Sequence, residues 1–377
     1  MIYSIPYLVL ITFYGIMALW FKQTKNIKIR AWNISLCFII TLIFWGFRGF
    51  CFYDWMSYYP MFLQSGIENL SYNITIIEPG FCILMTLCKE LYDNYIFFTF
   101  VCSLINITLL TVFLQKHTDN YPYTLLISTI FGCFLLFTDL MRNAIAVFIF
   151  INALDYIAKK KPLKYFMTIS ICISFHYSAI LFIPFYFFAN KTINKKIYAT
   201  IFFAGVCIYA LNISLLANAA DLILGFINKD LEGKVRYYLD AEAATSKVNF
   251  VFLEQFFTGC LVLCYMEKLR SIRENANIYI NSILLFFIFT FYLHEFVTLS
   301  TRLSILFAAG YWIIWNDIPK CLTFKNNKIL FATFAFFYCF LRILGHTSNA
   351  LANYDNVLFD AMRYQQRVSL FNKYFKD

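Results

Sequence analysis

The sequence predicts an all-α, polytopic integral membrane helix bundle with about 10–12 transmembrane segments, and three observations carry that expectation. Of the 377 residues, 61% are apolar or aromatic and 14% charged, whereas soluble domains carry about a quarter charged residues. The mean hydropathy is +0.66. The apolar residues also gather into long continuous runs, not into the short alternating segments of an outer-membrane barrel.

The runs lie near 2–21, 31–47, 95–114, 121–138, 139–158, 164–188, 197–217, 249–266, 278–296, 302–316 and 329–345. Met1 leads straight into apolar residues with no basic segment and no small-residue cleavage site, so the first run is expected to be a retained helix and not a signal peptide. Short basic loops separate the runs: Lys22 to Arg30, Lys159 to Lys164, Lys191 to Lys196, Lys268 to Arg273 and Lys320 to Lys328. The net charge of +10 therefore reports cytoplasmic loops by the positive-inside rule. It forms no basic stripe on a soluble face, and no nucleic-acid partner is expected.

The run 164–188 decides the topology. A single crossing there sends the last three basic loops outside. A re-entrant hairpin that breaks near Phe175-His176-Tyr177-Ser178 keeps all five inside, and it is the preferred reading. Irregular backbone at membrane depth is tolerated only where protein buries it or a wet cavity borders it, so a break at His176 marks a site. The hairpin leaves 48–94 and 218–248 as external loops large enough to cover a site. The tail 354–375 alternates aromatic and basic residues and is expected to be an interfacial helix. With no internal repeat or linker, residues 1–377 read as a single integral membrane domain. The twelve cysteines sit mainly in apolar runs as small hydrophobes, and no disulfide, metal or cofactor is expected.

Charges at the edges of apolar helices are costly and become site candidates. Arg48 is followed by Tyr53, Asp54 and Tyr58: a cation, a carboxylate and aromatic faces suited to sugar rings, or an interfacial aromatic belt. Glu78-Pro79-Gly80 starts a helix, and the likelier role of Glu78 taken alone is to cap it. Asp139 and Arg142 are three apart and can pair on one helix face; the alternative is that Arg142 offers its fork of donors to a phosphate. His294, Glu295 and Arg302 form a later cluster, with Arg342 and His346 one turn apart beyond it. His176 is either a packing residue or a proton acceptor. No Walker loop, dinucleotide fingerprint, zincin helix or nucleophile elbow is present.

Taken in order, Arg48 with Asp54 and Tyr58, Glu78-Pro79-Gly80-Phe81, Met141-Arg142-Asn143-Ala144, Ala153-Leu154-Asp155-Tyr156, Lys164-Tyr165-Phe166, Phe175-His176-Tyr177-Ser178, Ile183-Pro184-Phe185-Tyr186 and Thr301-Arg302-Leu303 resemble the EpsG family of bacterial polysaccharide-biosynthesis membrane proteins. Asn143 departs from the pattern, which usually has glutamine after the arginine. The resemblance implies a Wzy-type, metal-independent polymerase of O-antigen or exopolysaccharide with a GT-C-like fold in the bacterial inner membrane. Such an enzyme transfers the growing glycan from undecaprenyl pyrophosphate to the next lipid-linked repeat unit on the periplasmic face. Its partners are the undecaprenyl-pyrophosphate-linked oligosaccharides, the bilayer, and a chain-length regulator and flippase of the same pathway. On that reading Asp54, Glu78 or His176 accepts the proton. Arg48, Arg142, Arg302, Arg342, Tyr53, Tyr58 and Glu295 hold pyrophosphate and glycan. An O-antigen ligase and a lipid-linked oligosaccharide flippase are the rivals.

Overall fold

Asparagine is the recurrent start signal of the helices. The side chains of Asn26, Asn94, Asn120, Asn194 and Asn249 each accept a first-turn backbone N–H, which satisfies donors that lipid would leave bare. The computed structural model describes residues 2–214 and 248–376, and these form helices with no strand among them. Of the mixed-charge segment 218–248, expected to be an external cover, residues 218–247 lie outside the described residues.

Two compact units are distinguishable, residues 1–183 with 322–377, and residues 184–321. In the first unit, α1 (Ile5–Gln23) and α2 (Ile27–Gly46) lead into α3 (Trp55–Leu63), α4 (Leu70–Ile76) and α5 (Pro79–Leu91). Long apolar α6 (Tyr95–His117) follows, then α7 (Tyr121–Ser128) and α8 (Phe134–Thr138), then α9 (Met141–Ala158) and α10 (Pro162–Phe175). The seventh and eighth helices are one apolar stretch interrupted by a π turn, where Gly132 takes φ 124°. A side chain is strained at that angle.

The run 164–188 does not form one straight helix. At its middle His176 is extended (φ −159°, ψ 123°), and a 3-10 turn, Tyr177–Leu181, leads into α11 (Phe182–Phe188). The Tyr165 hydroxyl donates to the Phe182 carbonyl at 2.7 Å. In a continuous helix those residues would lie about 25 Å apart, so the chain doubles back where the sequence predicted a break.

The second unit contains α12 (Lys195–Ala210), α13 (Phe250–Ile272), α14 (Ala276–Tyr292), α15 (Val297–Ser304) and α16 (Ala309–Cys321). The α16 helix is its core, with Ala309 to Ile318 all buried. One carboxylate ties that core to the loop before α14. Asp317, 2% exposed, receives Nε and Nη2 of Arg273 at 2.8 and 3.2 Å and Lys320 Nζ at 2.8 Å. The chain returns to the first unit through α17 (Lys325–His346) and ends in α18 (Tyr364–Lys376).

Among the described residues seven helices are long and apolar enough to cross a membrane, or eight if the pair Val297–Phe307 and Ala309–Cys321, bent by 57°, counts as one span. Three shorter apolar helices, Pro162–Phe175, Tyr177–Phe188 and Ala276–Tyr292, accompany them. The chain is a multi-pass helical membrane protein. Hydropathy gave more full-length runs because it does not distinguish a continuous helix from a broken one. Removing the carboxylate in Asp317→Ala leaves two facing cations and is expected to cost about 3 kcal/mol, read as a lower unfolding midpoint in detergent.

Candidate functional site

The Glu78-Pro79-Gly80 triplet positions the central carboxylate. Pro79 is the first helical residue of α5 and needs no N–H partner there. Gly80 lets α5 meet the end of α10, since a Cβ would lie 2.5 Å from Ser174 Oγ and 2.9 Å from the Ser174 carbonyl. That close approach brings Glu78 against His176, the residue at which the hairpin turns. Glu78 occupies the N-cap position, but its side chain makes no capping bond. The expectation of a cap is corrected: the carboxylate is committed to other partners.

Those partners come from α9 and from the turn after α10, and α3 adds a residue that holds the arginine. Glu78 Oε2 accepts from Arg142 Nη1 at 2.6 Å, and Oε1 pairs with His176 Nδ1 at 3.0 Å and accepts the Tyr177 N–H at 3.4 Å. Arg142 Nε donates to the Tyr58 hydroxyl at 3.1 Å, with the guanidinium 5.7 Å from that ring's centre. The tetrad is graded in depth. The Glu78 side chain is 4% exposed, against 29% for Arg142 and 20% for His176.

Burial alone would raise the Glu78 carboxyl. Hydrogen bonds from His176, its own backbone and Arg142, with the arginine's charge, outweigh burial and hold it down to about 2. An ionised carboxylate only accepts, so Nδ1 of His176 is the donor, and in the neutral ring Nε2 carries the lone pair. Glu78 therefore fixes both the position of a cation and the tautomer of an imidazole. A carboxylate this acidic is itself a poor base.

Asp139 does not pair with Arg142, contrary to what their spacing allows. Phe52 adopts φ 64°, and the next two backbone N–H groups, of Tyr53 and Asp54, donate to Asp139 Oδ1 at 2.8 and 3.2 Å. Consecutive amides turned to one side make an anion cradle. Asp54 then opens α3, one turn before Tyr58. Burial pushes the Asp139 carboxyl up to about 6, while those amides and the charge of Arg48 pull the other way. Arg48 is only 5% exposed and donates Nη2 to the Thr138 carbonyl at 3.5 Å.

Arg342, half-buried on α17, takes no part in the tetrad's hydrogen bonds; one turn on, His346 stacks on Phe134 with centroids 5.3 Å apart. Glu295 and Arg302 belong to the second unit, the first 9% exposed and the second exposed. There His294 Nε2 lies 3.3 Å from the Ile213 carbonyl. Sequence reasoning passed over Glu254, a 4%-exposed carboxylate in α13 that accepts from Thr258 at 2.5 Å, while Thr258 Oγ1 accepts from Trp315 Nε1 at 3.2 Å. Its signal was available, since a carboxylate inside an apolar run is rare.

The raised Asp139 carboxyl gives a pH dependence of defined sign. The group favours the folded state below its unfolded value near 4, and that contribution is lost as pH rises through about 6. Asp139→Asn keeps an acceptor for both amides. It is expected to be as stable as wild type below the unfolded value near pH 4 and more stable at pH 8, measured as the unfolding midpoint in detergent.

No curated protein and no solved structure matches this chain. The model of the EpsG family matches residues 32–360, a range that contains Tyr58, Glu78, Arg142 and His176. The chain therefore belongs to the EpsG family, a membership consistent with a glycosyltransferase-like role in polysaccharide polymerisation.

Proposed function

We propose that this protein polymerises lipid-linked polysaccharide repeat units as a Wzy-type glycosyltransferase, with the tetrad around Glu78 as its catalytic centre on the outer face of the inner membrane. The observation that carries this reading is one buried carboxylate holding an arginine and a histidine side by side, both partly open to substrate. The substrates are undecaprenyl-pyrophosphate-linked glycans.

In the reaction, a hydroxyl of the incoming repeat unit attacks the anomeric carbon of the growing glycan, and the bond from that carbon to the pyrophosphate oxygen breaks. His176 Nε2 accepts the hydroxyl proton. Arg142 keeps Nη2 outside its two bonds within the tetrad and turns it to the leaving pyrophosphate, where a preorganised cation stabilises the developing charge. Glu78 is a positioning residue. Tyr58 accepts from the arginine on the helix that Asp54 opens, and Arg342 and Arg48 are secondary candidates for the carrier's phosphates. Transfer by a single displacement inverts the anomeric centre.

Arg142→Ala and His176→Ala are each expected to abolish polymer in a deletion strain while the protein inserts normally. Arg142→Lys is expected not to restore it, because a single ammonium cannot reproduce the planar fork that reaches Glu78 and Tyr58 through two nitrogens and keeps the third for substrate. Glu78→Gln is expected to lower polymer synthesis by about 10–100-fold. The readout is a gel of surface polysaccharide beside an analysis of lipid-linked intermediates. Single units on the surface without a ladder support the polymerase. Long polymer accumulating on the carrier supports the ligase, and single units trapped on the cytoplasmic side support the flippase.

A further inference from the structure

Asp139 lies in the short link between α8 and α9, three residues before Arg142. Its Oδ1 takes both amide N–H groups of the Phe52 turn. Its Oδ2 has no hydrogen-bond or ion-pair partner among the described residues. Nor is that oxygen sealed, since the residue is partly exposed and Oδ2 keeps contact with solvent. Holding the turn does not require a charge. The two amides need only an acceptor, and an asparagine oxygen supplies one with no ion to desolvate. Burial raises the Asp139 carboxyl to about 6, so at neutral pH its charge costs the fold stability. A group that costs stability and leaves one charged oxygen open has the character of a functional residue.

That oxygen lies close to the tetrad. Asp139 accepts the Asp54 N–H at 3.2 Å, the Asp54 carbonyl accepts the Tyr58 N–H at 2.9 Å, and the Tyr58 hydroxyl accepts from Arg142. Asp139 and Arg142 therefore grip α3 one helical turn apart, about 6 Å along its axis. An ionised carboxylate oxygen only accepts, so its missing partner is a donor. A cation is a poor occupant. The charge of Arg48 already acts on Asp139, and no group of three or more His, Cys, Asp or Glu side chains able to hold a metal gathers among the described residues. A neutral hydroxyl fits, and its bond to a carboxylate is about twice as strong as one between neutral groups.

We propose that Asp139 is a substrate-binding residue whose Oδ2 accepts a hydroxyl of the incoming repeat unit and so holds that sugar beside Arg142. The assignment rests on the polymerase reading for the identity of the sugar; the open carboxylate oxygen stands without it. Asp139→Asn separates a binding role from a purely structural one. Its amide oxygen stays with the two N–H groups and its NH2 meets the sugar, so the site exchanges an acceptor for a donor. The variant removes the buried charge, which helps the fold at pH 8, and it removes the open acceptor, which harms the site.

The test is calorimetric titration of the full-length protein, in neutral detergent at pH 8, with the single repeat unit freed of its lipid and pyrophosphate by mild acid. Wild type is expected to bind it, and Asp139→Asn to bind at least about tenfold more weakly with an unfolding midpoint no lower than that of wild type. Equal binding by the variant, or no binding by wild type, overturns the assignment. Weaker binding with a lowered midpoint reports a damaged fold and overturns it as well. In proteoliposomes supplied with lipid-linked repeat units and lipid-linked polymer, the same variant is expected to raise KM for the single unit at least about tenfold and to leave KM for the polymer unchanged; a rise in both overturns it. The titration needs no turnover. A wild type that binds the sugar but makes no polymer refutes the polymerase reading and leaves Asp139 as a sugar ligand, whereas an asparagine variant that binds and polymerises like wild type refutes the role of Asp139 alone.

Discussion

The catalytic reading of this protein depends on one ionised carboxylate held almost dry between two groups that can make it worthwhile. Removing a carboxylate from water costs several kcal/mol unless partners replace the lost solvation. Glu78 finds them in Arg142, His176 and a backbone amide, and their combined pull keeps it ionised. The same bonds act in reverse on the partners. The arginine loses its rotational freedom and the imidazole its choice of tautomer. Preorganisation of this kind lets a cation act on a leaving group without rearranging during the reaction.

The fold serves that contact by bringing together pieces that are far apart in the chain. Arg142 starts α9, Glu78 starts α5, His176 marks the reversal after α10, and Tyr58 faces inward from α3. Three of these are junctions between helices. In a membrane protein the interiors of helices are committed to packing and to lipid, and the irregular backbone at their ends is where polar chemistry can be housed.

Much of this was legible in the sequence, for identifiable reasons. Long continuous apolar runs mark helices because a helix satisfies its backbone groups within one segment, whereas a barrel strand shows short alternating segments, and the break at His176 showed because a single helix there put the basic loops on the wrong side. The partner of Arg142 was not legible. Asp139, three residues away, was the local choice, whereas the actual partner lies 64 residues distant. Asp139 is instead captured by two amides that face it only because Phe52 adopts a left-handed conformation. No helical spacing rule anticipates such a turn. The cap expected of Glu78 failed for the same reason: a local role is readable from neighbours, and a tertiary partner is not.

The most direct measurement of the central claim is nitrogen NMR of histidine-labelled protein at a pH where the His176 ring is neutral, with His176→Gln assigning its signals. The account predicts a ring protonated on Nδ1 with Nε2 bare, and loss of that tautomer preference in Glu78→Gln. A proton on Nε2 in wild type, or a tautomer indifferent to Glu78→Gln, would contradict it.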